Sequence, residues 1–170
     1  MSATAPVCVV LLRGVNVGGH NRVPMGDFRS MLEGLGGQDV QTYVQSGNAV
    51  LSWAGTTAAL ETAVGTALAA TLGVTVAVMA RTADELASVA AACPWPDLDP
   101  KLLHVGFCTR QPDVGGFVAE PPDRLAVGDR ALYLFHAGGV QRSGLARLRP
   151  GTDVTARNWR TVTALLELCC

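Results

Sequence analysis

Lysine is almost missing from this 170-residue chain: Lys101 stands alone against twelve arginines. It lies in a Pro/Asp-rich stretch, which argues against cofactor chemistry through a lysine Schiff base. Long apolar runs are missing too. Val7 to Leu12 gives six residues before Arg13 interrupts, far short of the ~20 a membrane-spanning helix needs. No cationic residue precedes that run as it would in a secretory leader, so the expectation is a soluble, cytoplasmic chain with no membrane partner. Charged residues make up 16%, against about a quarter in an average globular chain. With 49% apolar residues, disorder is excluded and a core can be buried. The five cysteines, Cys8, Cys93, Cys108, Cys169 and Cys170, contain no C-x-x-C, so neither a disulfide framework nor a zinc knuckle is indicated. His20, His104 and His136 lack metal-ligand spacing, and no metal site or cofactor is expected.

What charge there is lies unevenly. Residues 1–30 carry a net +2, residues 31–129 a net -7, and residues 130–170 a net +4. Cationic ends that met in space would form a basic patch, and arginine's planar fork suits carboxylate or phosphate.

The periodicity predicts an α+β chain. Val7–Arg13 reads as a buried strand and Gly14–Val23 as a Gly/Asn loop. Met25, Phe28, Met31, Leu32 and Leu35 repeat at helical spacing after Pro24, and Gly36-Gly37 ends that helix. Asp39–Gln45 and Asn48–Trp53 form a hairpin through Ser46-Gly47. Leu60, Val64, Ala67 and Leu68 stripe a second helix ending at Gly73, and Val74–Ala80 is a strand. This β-α-β-β-α-β order is the split βαβ, ferredoxin-like arrangement. No internal repeat is visible in the letters, yet the second half looks like a looser return of the same elements. Thr82-x-x-Glu85 is a capping box opening a helix to about Ala92. A joint at Cys93–Pro100 follows, then a strand over Leu102–Thr109 and a short helix within Pro112–Ala119. A hairpin of Arg124–Val127 with Ala131–His136 precedes a loop over Gly138–Gly151, and a terminal helix opens at Arg157. Two ferredoxin-like subdomains in a duplicated arrangement are expected: residues 1–80, a helix and joint over 81–101, and residues 102–170.

Gly14-Val15-Asn16-Val17-Gly18-Gly19-His20-Asn21 approaches phosphate-loop spacing, but His20 and Asn21 replace the lysine and hydroxyl that an ATPase or GTPase needs. What survives is a loop whose glycines allow close backbone approach and expose N–H groups, flanked by Arg13 and Arg22. An ordinary connection with Ser46 and Asn48 as turn formers is the plainer alternative. In split βαβ topology the first and third strands are antiparallel neighbours. Arg13, Asn16, Gly18, Gly19 and Arg22 should therefore face Ser46 and Asn48 across one end of the sheet, a set of donors suited to an oxyanion. Arg157 and Asn158, at the predicted helix opening, add charge and N–H groups. No nucleophile–base pair, carboxylate dyad or nucleotide fingerprint is present; His20 is the one side chain in the cluster of a type suited to acid–base work. Val9, Leu11, Val50 and Trp53 supply at most one aromatic for stacking RNA bases.

Three runs, Leu12-Arg-Gly-Val-Asn-Val-Gly-Gly-His-Asn-Arg-Val-Pro-Met25, Thr42-Tyr-Val-Gln-Ser-Gly-Asn48 and Ala156-Arg-Asn-Trp-Arg-Thr-Val-Thr163, resemble the bacterial family known as domain of unknown function 1697. The resemblance spans essentially the whole chain, with His20 where the family often has lysine. It implies a duplicated α+β fold and a bacterial, cytoplasmic origin, and carries no activity with it. The functional expectation is a site for a phosphate-bearing small molecule or nucleotide, with nucleic acid less favoured. The alternatives are a phosphate-ester or other small-molecule enzyme using the same loops, and a subunit-association domain with no ligand.

Overall fold

β-branched and aliphatic residues fill Val7–Leu12 (β1), which becomes the centre of a four-stranded sheet. The computed structural model describes residues 3–170, so the first two positions of the expected N-terminal subdomain lie outside it. After β1 come Met25–Gly34 (α1), Gln38–Thr42 (β2), Asn48–Ser52 (β3), Thr57–Leu72 (α2) and Val78–Thr82 (β4). All pairings are antiparallel, in the order β2-β3-β1-β4. That is the split βαβ topology.

Local chemistry sets the helix ends. Thr56 accepts a hydrogen bond from the Ala59 N–H at 3.1 Å and caps α2. At its far end Gly73 turns left-handed with φ 65°, and the Val74 N–H returns to the Leu68 carbonyl. This closure takes Val74 out of the expected strand, so β4 begins at Val78. Similarly, Val44 turns left-handed at φ 49° and ends β2 at Thr42, before the expected Gln45. Phe28 and Leu32 of α1, with Leu60, Val64 and Leu68 of α2, cover Cys8, Val10, Leu12, Ala49, Leu51 and Ala80 on one sheet face. On the other face Val9, Leu11, Asn48, Val50, Met79 and Arg81 are buried as well.

Ala83–Ala91 (α3) follows the capping box as expected: Thr82 Oγ1 accepts from the Glu85 N–H, and Glu85 Oε2 accepts from the Thr82 N–H. The second sheet comprises Leu103–Cys108 (β5), Arg124–Gly128 (β6), Ala131–Phe135 (β7) and Val154–Asn158 (β8), ordered β6-β7-β5-β8. Trp159–Leu168 (α4) ends the chain. By spatial contacts the residues through Leu86 and from Leu165 onward form one compact unit, and Ala87–Ala164 form the other.

The two sheets share one strand order and one connectivity, so the fold is α+β with duplicated ferredoxin-like halves. They differ in what covers them. No helix forms in Pro112–Ala119: Gly115 is left-handed at φ 54°, and the Gly115 N–H goes to the Asp113 side chain instead. Loop residues Val114, Phe117, Leu145 and Leu148 pack on Cys108, Leu132 and Leu134 in place of helices. The connection after β7 contains two short 3-10 turns, Val140–Arg142 and Gly144–Arg147. The terminal helix was expected to open at Arg157, but residues 154–158 pair antiparallel with β5. Arg157 and Asn158 are strand residues, and the helix opens at Trp159.

Candidate functional site

Antiparallel pairing of β1 with β3 places Leu11 opposite Asn48, and the Leu12 N–H donates to the Gly47 carbonyl at 2.9 Å. The loop leaving β1 and the turn entering β3 are thereby fastened at one end of the first sheet. Arg13, Asn16, Ser46 and Asn48 all lie at that end.

Within this cluster the residues divide by what their polar atoms do. Asn16 is a clamp. Its Nδ2 donates to the Gln45 carbonyl at 2.7 Å and to the Val23 carbonyl at 2.9 Å, and its Oδ1 accepts from the Val23 N–H at 2.8 Å. Asn48 is fully buried, and its Nδ2 donates to the Tyr43 carbonyl and to Ser46 Oγ at 2.9 and 2.8 Å. Both asparagines were expected as ligand contacts; their hydrogen-bonding capacity goes to shaping the two loops, because each closes a bend that backbone pairing leaves open.

The tongue they hold is tightly wound. Gly14, Asn16, Gly18, Gly19 and Asn21 all have positive φ; glycine and asparagine tolerate this where other residues resist. Val17 and His20 form an isolated antiparallel bridge across Gly18-Gly19. The Asn16 N–H donates to the Asn21 carbonyl at 3.1 Å, and Asn21 Nδ2 to the Gly14 carbonyl at 3.1 Å. At the tip, Gly18, Gly19, His20 and Arg22 are exposed. Among the described residues no acceptor takes the Gly18 or Gly19 N–H, and no carboxylate pairs with Arg22.

Arg157 and Asn158 belong to the second unit. The Arg157 side chain is buried, with Nη1 donating to Thr155 Oγ1 at 2.6 Å and to the Ala156 carbonyl at 3.0 Å. Burial pushes its pKa down to about 10, so it stays cationic at neutral pH. Asn158 Oδ1 accepts from the Thr161 N–H at 2.9 Å and caps α4, a structural task that occupies its side-chain oxygen.

Arg81 was missed by the sequence reading. It lies opposite Val9 as Arg157 lies opposite Val105, each beside the third residue of its central strand. Its Nη1 donates to the preceding carbonyl, Ala80, at 2.9 Å, as Arg157 does to Ala156, and Glu61 Oε1 is 3.9 Å away. The residue after each arginine, Thr82 or Asn158, caps the following helix. The signal was in the letters: Val78-Met-Ala-Arg-Thr82 and Val154-Thr-Ala-Arg-Asn158 share Val, Ala and Arg in register.

Among the described residues no group of three or more His, Cys, Asp or Glu side chains is arranged to hold a metal ion. No helix is long and apolar enough to cross a membrane.

Fold and loops together define a duplicated split βαβ protein with a Gly/Asn tongue at the end of its first sheet. The chain belongs to the family described as Protein of unknown function (DUF1697), whose model matches residues 6–133. That span takes in the tongue, the β2–β3 turn and Arg81, and stops before β8. The chain is similar to the solved structure of the conserved bacterial protein SP0830 from Streptococcus pneumoniae, with a TM-score of 0.79 and 20% identity over 97% of this chain and 99% of that one. At that identity the likeness is one of fold. No curated protein matches the chain.

Proposed function

We propose that the Gly/Asn tongue of the first unit binds an oxyanion carried by a phosphorylated small molecule or nucleotide, in the cytoplasm. One observation carries the reading: a rigidly clamped loop presents the unengaged N–H groups of Gly18 and Gly19 beside the exposed Arg22 and His20. Donors fixed before the ligand arrives lose little entropy on binding, and glycine lets the anion reach the backbone. Arg13 and Ser46 are exposed at the same end, while Asn16 and Asn48 hold the frame. Five free thiols suit a reducing compartment. A nucleic-acid reading is weaker, because Val9, Leu11, Asn48 and Val50 of the central strands are buried and non-aromatic.

Thermal shift and calorimetry test this with inorganic phosphate, nucleoside monophosphates and sugar phosphates against their dephosphorylated forms. The phosphorylated forms should stabilise the protein. Arg22→Ala should weaken binding by about 1.5–3 kcal/mol, the range of a charge-assisted hydrogen bond. Equal response to the dephosphorylated forms, or undiminished affinity in Arg22→Ala, overturns it. Should turnover of a phosphate ester appear, His20→Gln separates binding from acid–base chemistry.

A further inference from the structure

The second unit holds a cavity of about 560 Å³, large enough for a small metabolite and wholly separate in sequence from the tongue. One wall is residues 120–123 and the other residues 137–147. Asp123 braces them: Oδ1 accepts from the Ala137 N–H and Oδ2 from Ser143 Oγ, both at 2.9 Å. The Ser143 hydroxyl is thereby tied to the Asp123 carboxylate and holds the wall together. The two 3-10 turns bring Arg142 and Arg147 to its lining, where Glu120 and Gln141 also stand. Among the described residues neither guanidinium pairs with a carboxylate, and the Glu120 carboxylate has no cationic partner.

We propose that this cavity binds a small zwitterion of the α-amino-acid type, its carboxylate held by Arg142 and Arg147 and its ammonium group by Glu120. Two arginines alone would suit any oxyanion. The lining also carries two carboxylates, which repel a dianionic phosphate more than a neutral zwitterion, and only the zwitterion offers a charge to each side. The apolar side chains of the lining are Pro121, Pro122 and Ala137, all small, which fits a compact ligand better than a large hydrophobic one.

Calorimetry on the full chain, with L-glutamate, L-alanine and L-arginine against their N-acetylated and C-amidated forms and against inorganic phosphate, decides the matter. Saturable binding of at least one free amino acid is expected, with a loss of about tenfold to a hundredfold on N-acetylation, on C-amidation, or in Arg142→Ala or Arg147→Ala. Glu120→Gln, at an exposed position, should bring the free amino acid's affinity to that of its N-acetylated form. Arg22→Ala in the first unit should leave it unchanged, which separates this site from the phosphate reading. No saturable binding of any free amino acid overturns the proposal. So does phosphate binding as tightly as the amino acids in the Arg22→Ala variant, where the tongue is weakened, or a Glu120→Gln variant of unaltered affinity.

Discussion

Replacing Asn16 tests the frame of the tongue directly. Its side chain makes three hydrogen bonds of 2.7 to 2.9 Å, and one of them satisfies the N–H of Val23, a residue with 0% exposure. In Asn16→Ala that buried donor is stranded, at about 1–3 kcal/mol. The Gln45 carbonyl lies on an exposed residue and regains water, so its loss adds only a few tenths. Alanine at φ 56° adds about 1 kcal/mol of left-handed strain that asparagine tolerates. The expected destabilisation is about 3 kcal/mol. Asn16→Gly removes the strain and keeps the lost bonds, so it should cost about 2 kcal/mol. Asn16→Asp keeps the acceptor for Val23 but sets a carboxylate oxygen against two carbonyls, and should be no better than alanine. Because the chain divides into two units, a single unfolding curve need not be two-state; amide exchange at Val23, read by NMR alongside urea unfolding, localises the effect. Equal stabilities for the alanine and glycine variants would refute the strain argument. Val23 exchange unchanged in all three would refute the clamp.

Gly47→Ala should cost about 2–4 kcal/mol in urea unfolding, because a Cβ there would sit 2.8 Å from both Leu12 Cβ and Val15 Cγ2 at φ 85°; a loss under 1 kcal/mol would show that the two loops can separate freely. Burial pushes His104 and His136 below the ordinary histidine value, and for His136 the neighbouring His104 adds to the lowering while Asp123 opposes it. The unfolded chain therefore binds more protons below about pH 6.5, and stability should fall as pH drops from about 7 to 5, with a shallower slope in His136→Leu; a flat urea midpoint across that range would refute it. Thr82→Ala and Asn158→Ala should each cost about 1 kcal/mol through a lost helix cap, and an effect confined to one of them in thermal unfolding would break the equivalence of α3 and α4.

The first sheet was legible because its strands and helices follow the hydrophobic periods. β1 is an unbroken apolar run, and α1 and α2 present Phe28, Leu32, Leu60, Val64 and Leu68 at helical spacing. The meeting of Arg13, Asn16, Ser46 and Asn48 followed from topology alone. What those asparagines do there was hidden, because spacing does not tell whether an amide serves a ligand or its own backbone. β8 was hidden for the opposite reason to β1. Along it Thr155 and Arg157 are buried while Ala156 is exposed, so the polar residues face inward and alternation reads as a helix opening. The helix expected in Pro112–Ala119 fails at Gly115, where a left-handed residue and an Asp113 side chain take the N–H that a helix would use.

The buried arginines are the feature the two halves share most closely. Burying a guanidinium is costly unless its donors are met. In each half a strand carbonyl one residue back meets one of them, from Ala80 or Ala156. That solution depends on the arginine's place beside the third residue of the central strand, and on a helix cap immediately after it. Shifting either arginine by one residue would turn its side chain to the other face of the sheet. In the first half α1 and α2 seal the sheet, whereas in the second half loops do so. One of those loops, after β7, forms a wall of the cavity with Arg142 and Arg147. A helix packed there would leave its side chains in the core, as α2 does, and the cavity would be closed. The two halves thus share the buried arginine and the cap after it, and differ in the covering layer, where the second proposed site lies.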